Sequence, residues 1–206
     1  MTHPPLHHHP VAVAHRPDEL YARGRPAWDI GRPQPAFLAM ADAGEIRGRV
    51  LDVGCGTGEH VLLCAERGLD ATGVDLAPTA LATARAKAQQ RRLTARFVLH
   101  DARRLSELGE AFDTVLDCGL FHVFDGADRT ALVAGLHTAL RPGGRYLMLC
   151  FSDAHPGDTG PHRITRDEIL TAFRAGWRVD SLKPAGIATL TDPDGIRAWR
   201  AVVTRT

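Results

Sequence analysis

The stretch Arg47 to Pro78 (RGRVLDVGCGTGEHVLLCAERGLDATGVDLAP) constrains the fold more than any other part of the chain. An apolar run over Val50–Val53 predicts a short strand. The glycine loop Gly54-Cys55-Gly56-Thr57-Gly58 follows, then a helix over about Glu59 to Arg67. A second apolar run, Ala71 to Val74, ends on Asp75, twenty-one positions after Gly54. Strand, glycine turn, helix, strand and carboxylate in this order make a βαβ nucleotide-binding unit. Glycine lets the backbone turn tightly and approach a ligand, because no Cβ intervenes. The helix opened by the loop begins with N–H groups that have no partner inside it. A carboxylate closing the second strand is placed to accept the hydroxyls of a ribose.

The spacing separates two kinds of ligand. A dinucleotide loop reads G-x-G-x-x-G and sets a pyrophosphate on the helix N-terminus. Here the third glycine comes one residue early, and Asp52 stands two residues before the loop. A carboxylate there suits a cationic ligand better than a pyrophosphate. S-adenosylmethionine (SAM) carries an ammonium, a sulfonium and a ribose.

The rest of the chain supports an open sheet. Pro35 opens a helix to about residue 43, Pro78 another to about Arg91, and Ala127 to Leu140 a third. Arg96 to Leu99 is a third strand, Val115 and Leu116 lie in a fourth, and Arg145 to Phe151 form a fifth with almost no polar residue. Near-continuous apolar strands are expected of a parallel sheet covered on both faces. Thr165 with Glu168 makes a capping box, and Trp177 to Leu182 and Trp199 to Thr204 are closing strands, the last antiparallel. The fold class is therefore α/β: a Rossmann-like, doubly wound, mostly parallel sheet of seven strands with helices on both faces. Residues 1–17, rich in proline and carrying His3, His7, His8 and His9, read as a disordered tail. Residues 18–206 form one domain, with 18–46 as an N-terminal cover and 152–164 as a candidate lid loop.

Several motifs then carry a resemblance. Asp52 to Gly58 with Asp75 resembles motifs I and II of the class I SAM-dependent methyltransferases. Val98-Leu99-His100-Asp101-Ala102 is similar to the third motif, Phe112 to Asp117 to the fourth, and Leu140-Arg141-Pro142-Gly143-Gly144 to the turn before strand five. The resemblance implies SAM as cofactor. It implies Gly54, Cys55, Gly56 and Gly58 along the methionine part with Asp52, Asp75 on the ribose and Asp101 on the adenine amine. Leu76 and Ala102 would flank the adenine ring, and the backbone at Asp117 or Cys118 would approach the amino-acid part. The plainer readings are that Asp75 caps the helix after Pro78 and that Asp101 starts a turn.

The acceptor side has three candidate groups. His122, in Cys118-Gly119-Leu120-Phe121-His122, is the candidate general base, since histidine titrates near working pH, and Phe121 beside it is a candidate substrate contact. The alternative is a histidine that only bonds its neighbours while Phe121 packs. The run WDIGRPQP, with Tyr21 upstream, resembles the cover segment of small-molecule methyltransferases related to the thiopurine and thiol enzymes. That likeness implies Trp28 over SAM and acceptor, with Tyr21, Asp29 and Gln34 nearby. A Trp that merely plugs a gap is the alternative. The loop Ser152 to Arg163 offers His155, His162 and Arg163, the last as a clamp for an anionic acceptor.

Charge excludes some partners. Among 206 residues, 25 Lys and Arg balance 24 Asp and Glu, so no bulk field recruits nucleic acid or membrane. No apolar run approaches a membrane span. Cysteines at 55, 64, 118 and 150 lack C-x-x-C spacing, which gives neither a zinc knuckle nor a redox dithiol. Together these readings give a cytoplasmic enzyme, monomeric or homodimeric and without metal. It moves a methyl group by in-line displacement to an O, S or N atom of a small molecule, aromatic ones included. A non-catalytic SAM-binding sensor or partner subunit is the alternative. An NAD-dependent oxidoreductase is disfavoured by the early third glycine.

Overall fold

The computed structural model describes residues 17–157 and 160–206. The histidine-rich stretch lies outside the described residues; Pro17, placed in the tail by sequence, already begins a helix. Helices α1 (Pro17–Ala22) and α2 (Pro35–Asp42) precede the sheet. The core then alternates β1 (Val50–Val53), α3 (Glu59–Glu66), β2 (Ala71–Asp75), α4 (Pro78–Arg91) and β3 (Arg96–Leu99). A 3-10 segment (Ala102–Leu108), β4 (Phe112–Cys118), α5 (Gly126–Ala139) and β5 (Leu140–Phe151) follow, and α6 (Arg166–Ala172), β6 (Trp177–Ile187) and β7 (Ile196–Arg205) complete the chain.

The strand order is β3-β2-β1-β4-β5-β7-β6, parallel throughout except for β7, which runs antiparallel to both neighbours. Strand β1 pairs with β2 on one side and β4 on the other, so the order reverses between β1 and β4. Open α/β sheets bind ligands at this switch point, outside the carboxyl ends of the strands. The glycine loop leaves β1 there.

Local chemistry accounts for the elements. Helices α2 and α4 both begin on proline, whose missing N–H is no loss in a first turn. Helix α6 carries the full capping box: Thr165 and Glu168 each bond the other's backbone N–H. One buried cluster (Val53, Phe112, Leu132, Leu136, Tyr146) packs α5 and α6 on one face of the sheet. Another (Phe37, Val61, Leu62, Leu81, Leu116) packs α2, α3 and α4 on the opposite face.

Three boundaries differ from the sequence reading. The Pro142-Gly143-Gly144 turn does not precede β5 but lies within it: Leu140 already pairs with Phe112, and the register slips before Thr114 meets Arg145. Gly143 takes φ +77°, which absorbs the extra residues as an irregularity inside the strand. Strands β6 and β7 also extend further toward each other than the short apolar runs suggested. Pro184 is tolerated in β6 because β6 is an edge strand.

Candidate cofactor and acceptor site

The glycine loop takes left-handed backbone at all three alternate positions, with φ of +68° at Gly54, +52° at Gly56 and +83° at Gly58. Side chains resist that conformation, so the alternation in sequence reflects backbone geometry. The three glycines then do different things. A Cβ on Gly56 would sit 2.6 Å from the Tyr21 hydroxyl, and one on Gly54 would touch Leu120. A Cβ on Gly58 would lie 2.8 Å from Phe97 and 2.9 Å from Ala84, both on the protein side. Gly58 thus lets α3 pack against α4 and β3.

Asp75 organises the loop. One carboxylate oxygen accepts the Gly56 N–H at 2.7 Å and the other accepts the Ala77 N–H at 2.8 Å. Burial raises its pKa while these backbone bonds lower it. A carboxylate has about four acceptor positions, so capacity for ribose hydroxyls remains. Asp52 is almost wholly buried, and its Oδ2 has no hydrogen-bond partner. Burial, then Asp117 and Asp75, push its pKa well above the usual carboxylate range. A buried carboxylate of this kind fits an ammonium group, and Asp75 fits a ribose: the residues present suit SAM.

On the adenine side Leu76 is exposed and Ala102 buried. Asp101 caps the 3-10 segment through the Arg103 N–H and pairs with the Arg103 guanidinium, which holds its pKa low. The turn-starting role is thus present, with the carboxylate paired to Arg103. Leu99, exposed at the end of β3, joins Leu76 on this edge and escaped the sequence reading. Its only signal was its place just before His100-Asp101.

The cover segment closes on the loop. Tyr21 lies against Gly56, and Trp28 Nε1 donates to its hydroxyl at 3.0 Å. Asp29 accepts from Thr57 Oγ1 at 3.0 Å, fixing the cover to the glycine loop. Asp18 accepts the Thr79 N–H at 2.7 Å, capping α4 from α1. The Gln34 side chain is buried and makes two bonds to the backbone of Ala188. Leu190 N and Thr189 Oγ1 both donate to Ala27 O, so the loop after β6 grips the cover beside Trp28. Trp28 is 53 % exposed and Leu190 52 %, leaving an apolar rim.

The acceptor candidates divide. Phe121 is fully buried, stacked on Phe173 at 5.8 Å and covered by Arg129; it is core, not a substrate contact. The Asp117 carboxylate is spent on the Leu120 and Phe121 N–H groups and on the Tyr146 hydroxyl at 2.6 Å. Only its main chain is left for the contact expected of it. Cys118 beside it is partly exposed at the end of β4. His122 Nδ1 accepts the Phe151 N–H at 3.1 Å, and burial lowers its pKa to about 3. The neutral ring then carries its proton on Nε2 while Nδ1 is engaged by backbone, an arrangement that weighs against the general-base role expected of His122. Arg163 donates to His155 O at 3.0 Å and Pro156 O at 3.1 Å, which ties its guanidinium to nearby backbone. His155 Nδ1 accepts the Arg197 N–H at 3.3 Å, holding that loop to β7.

The comparisons with known proteins follow the same lines. The profile of a methyltransferase domain family matches residues 50–144. A 2-heptyl-1-hydroxyquinolin-4(1H)-one methyltransferase of Mycobacteroides abscessus is 37% identical over 172 residues, 82% of this chain and 75% of that protein. A demethylmenaquinone methyltransferase of Thermus thermophilus is 40% identical over 160 residues, 74% of this chain and 72% of that protein. The chain belongs to the class I SAM-dependent methyltransferases. A probable thiol methyltransferase of Arabidopsis thaliana, 26% identical over 162 residues, covers 73% of this methyltransferase and 68% of itself. A structure solved in work on the conversion of a disulfide bond into a thioacetal group during echinomycin biosynthesis superposes with a TM-score of 0.82 at 37% identity, covering 91% of each chain. SAM is accordingly this methyltransferase's cofactor. Among the described residues, no helix is long and apolar enough to cross a membrane.

Proposed function

We propose that this methyltransferase transfers a methyl group from SAM to an O, S or N atom of a small molecule. The favoured acceptor is one that ionises near neutral pH, such as an N-hydroxy heteroaromatic ring or a thiol. The observation that carries the donor half is the pairing of the buried, unpartnered Asp52 with the Gly56–Asp75 turn at the switch point. SAM, when bound, supplies an electrophilic methyl group on a sulfonium. In this reading Asp52 faces the ammonium and Asp75 takes ribose hydroxyls. Leu76 and Ala102 flank the adenine beside Asp101, and the main chain at Gly54, Asp117 and Cys118 lines the amino-acid part. Tyr21 and Trp28 close over the site and keep water out, where positioning supplies much of the acceleration.

The acceptor half rests on His122. A histidine whose Nδ1 already accepts a backbone N–H is poorly placed to take a proton from an incoming hydroxyl, which favours an acceptor that arrives as its own anion or as a neutral amine. The apolar rim of Trp28 and Leu190 suits an apolar or aromatic body. An N-hydroxyquinolone, the acceptor in the name of the Mycobacteroides relative, meets both conditions. A cytoplasmic location belongs to the same reading, in keeping with four free cysteines.

Calorimetric titration with S-adenosylhomocysteine and with NAD tests the donor, and mass spectrometry of N-hydroxyquinolones, phenols, thiols and amines incubated with SAM tests the acceptor. Binding of the homocysteine compound alone and a gain of one methyl on an acidic hydroxyl or thiol support the proposal. Binding with no methylation of any class would make the protein a SAM-binding sensor instead.

A further inference from the structure

We propose that His60 is a positioning residue that holds the Asp52 carboxylate for the cofactor's ammonium and links that contact to closure of the cover segment. The inference rests on the cofactor reading above. His60 lies in the first turn of α3, with its ring between the cover and β1. Its Nε2 accepts the backbone N–H of Gln34 at 3.2 Å, and its Nδ1 lies 3.8 Å from Asp52 Oδ2, the buried oxygen without a partner. Phe37 packs against the ring at 4.6 Å. The side chain of Gln34 in turn bonds Ala188 O at 2.9 Å and Ala188 N at 2.8 Å. A continuous line of contacts therefore runs from the loop after β6, through the cover and α3, to the acid of β1.

The tautomer follows from these bonds. Because Nε2 accepts, the proton of the neutral ring sits on Nδ1, on the side of Asp52. Burial keeps the ring neutral, with its pKa lowered to about 4. His60 thus presents an oriented dipole, not a charge. That dipole favours the ionised form of Asp52, which Asp75 and Asp117 oppose. The remaining titratable groups around Asp52 are the thiols of Cys55, Cys64 and Cys118. Beside His60, Glu59 is already paired with Lys87 and Arg91. When the cover lifts, the Gln34 N–H leaves Nε2 and the ring loses its fixed tautomer, so Asp52 loses its oriented donor. By reciprocity, a ligand bearing an ammonium favours the closed cover.

The test compares two nucleosides in calorimetric titrations of the full chain. S-adenosylhomocysteine carries the ammonium; 5′-methylthioadenosine keeps adenosine and sulfur but lacks the amino-acid end. In His60→Phe, affinity for S-adenosylhomocysteine is expected to fall about tenfold while affinity for 5′-methylthioadenosine stays within about twofold. His60→Leu gives the same selective loss, which guards against a folding failure of the bulkier variant. His60→Gln, whose amide offers an N–H toward Asp52, recovers part of it. On acidification the parent loses S-adenosylhomocysteine as Asp52 takes up a proton, and His60→Phe loses it starting at higher pH. Equal losses for both nucleosides, or none for S-adenosylhomocysteine, overturn the inference. A parent that binds neither overturns the cofactor reading itself, and this inference with it.

Discussion

Asp75 holds the protein together before it holds any ligand, because its two oxygens fix the Gly56 and Ala77 N–H groups. Asp75→Ala is therefore expected to do two things. Affinity for S-adenosylhomocysteine falls by about tenfold or more, and stability falls by roughly 1–3 kcal/mol for each buried donor left unpaired. Titration and urea denaturation read these separately; unchanged affinity would refute the ribose assignment. His122 behaves differently. His122→Leu orphans the Phe151 N–H and should cost roughly 1–3 kcal/mol in denaturation. The pH–rate profile should keep its shape and follow the pKa of the acceptor instead; loss of an acid-side limb in the variant would restore His122 as a base. At this scale the sequence was legible where backbone geometry demands one residue type, as at Gly54 and Gly56. It left open whether a histidine next to the site is bonded or free. Only the position of the Phe151 N–H, contributed by the next strand, decides between those states.

The elements show the same division. Strands β1 to β5 were readable because each is an apolar run with its own punctuation, and the switch point follows from their order. The cover was recognisable as a segment, but not its attachment. Gln34 and Ala188 are 154 residues apart, and no local pattern announces an amide that bonds a distant backbone. That attachment makes a prediction at the scale of the segment. Gln34→Ala frees both polar groups of Ala188 and should loosen residues 23–34 together with the 188–190 loop. The core sheet, packed on both faces, should be unaffected. Hydrogen exchange is expected to quicken at Leu190 and Gln34 and stay unchanged in β1 and β4. The KM for the acceptor should rise more than that for SAM, because the acceptor needs the closed rim. Uniformly faster exchange would mean that the cover is part of the global folding unit and not a separable closure.

For the whole molecule, the buried ionisable groups at the carboxyl ends of the strands set opposing responses to acid. Asp117, ordinarily near 3.8, is raised to about 6 chiefly by burial, against the opposing bonds from Tyr146 and the backbone. The stability that its protonated form contributes is fully present below its ordinary pKa and is lost as pH rises through about 6. Asp52 and Asp75 are shifted in the same direction, also by burial. His60 and His122 oppose them: both sit near 6.5 when unfolded and are lowered by burial to about 4 and about 3. Stability from keeping them neutral is present above 6.5 and is lost as pH falls toward those lower values. Over the interval where both sets titrate, the unfolded chain gains protons on histidines while the native chain holds them on carboxyls, and the slopes largely cancel. These buried groups should therefore add little net slope to the unfolding free energy between about pH 4 and 6, leaving the loss of stability on acidification to the carboxylates held low, such as Glu168. Asp117→Asn, which keeps an acceptor for the Tyr146 hydroxyl, removes one carboxyl from this balance. Its stability should climb with pH across that interval, steepened by on the order of 2 kcal/mol relative to the parent. His122→Gln should tilt the dependence the other way. Urea denaturation at a series of pH values measures all three, and parallel curves for the parent and Asp117→Asn would mean that Asp117 is ionised in the folded protein throughout.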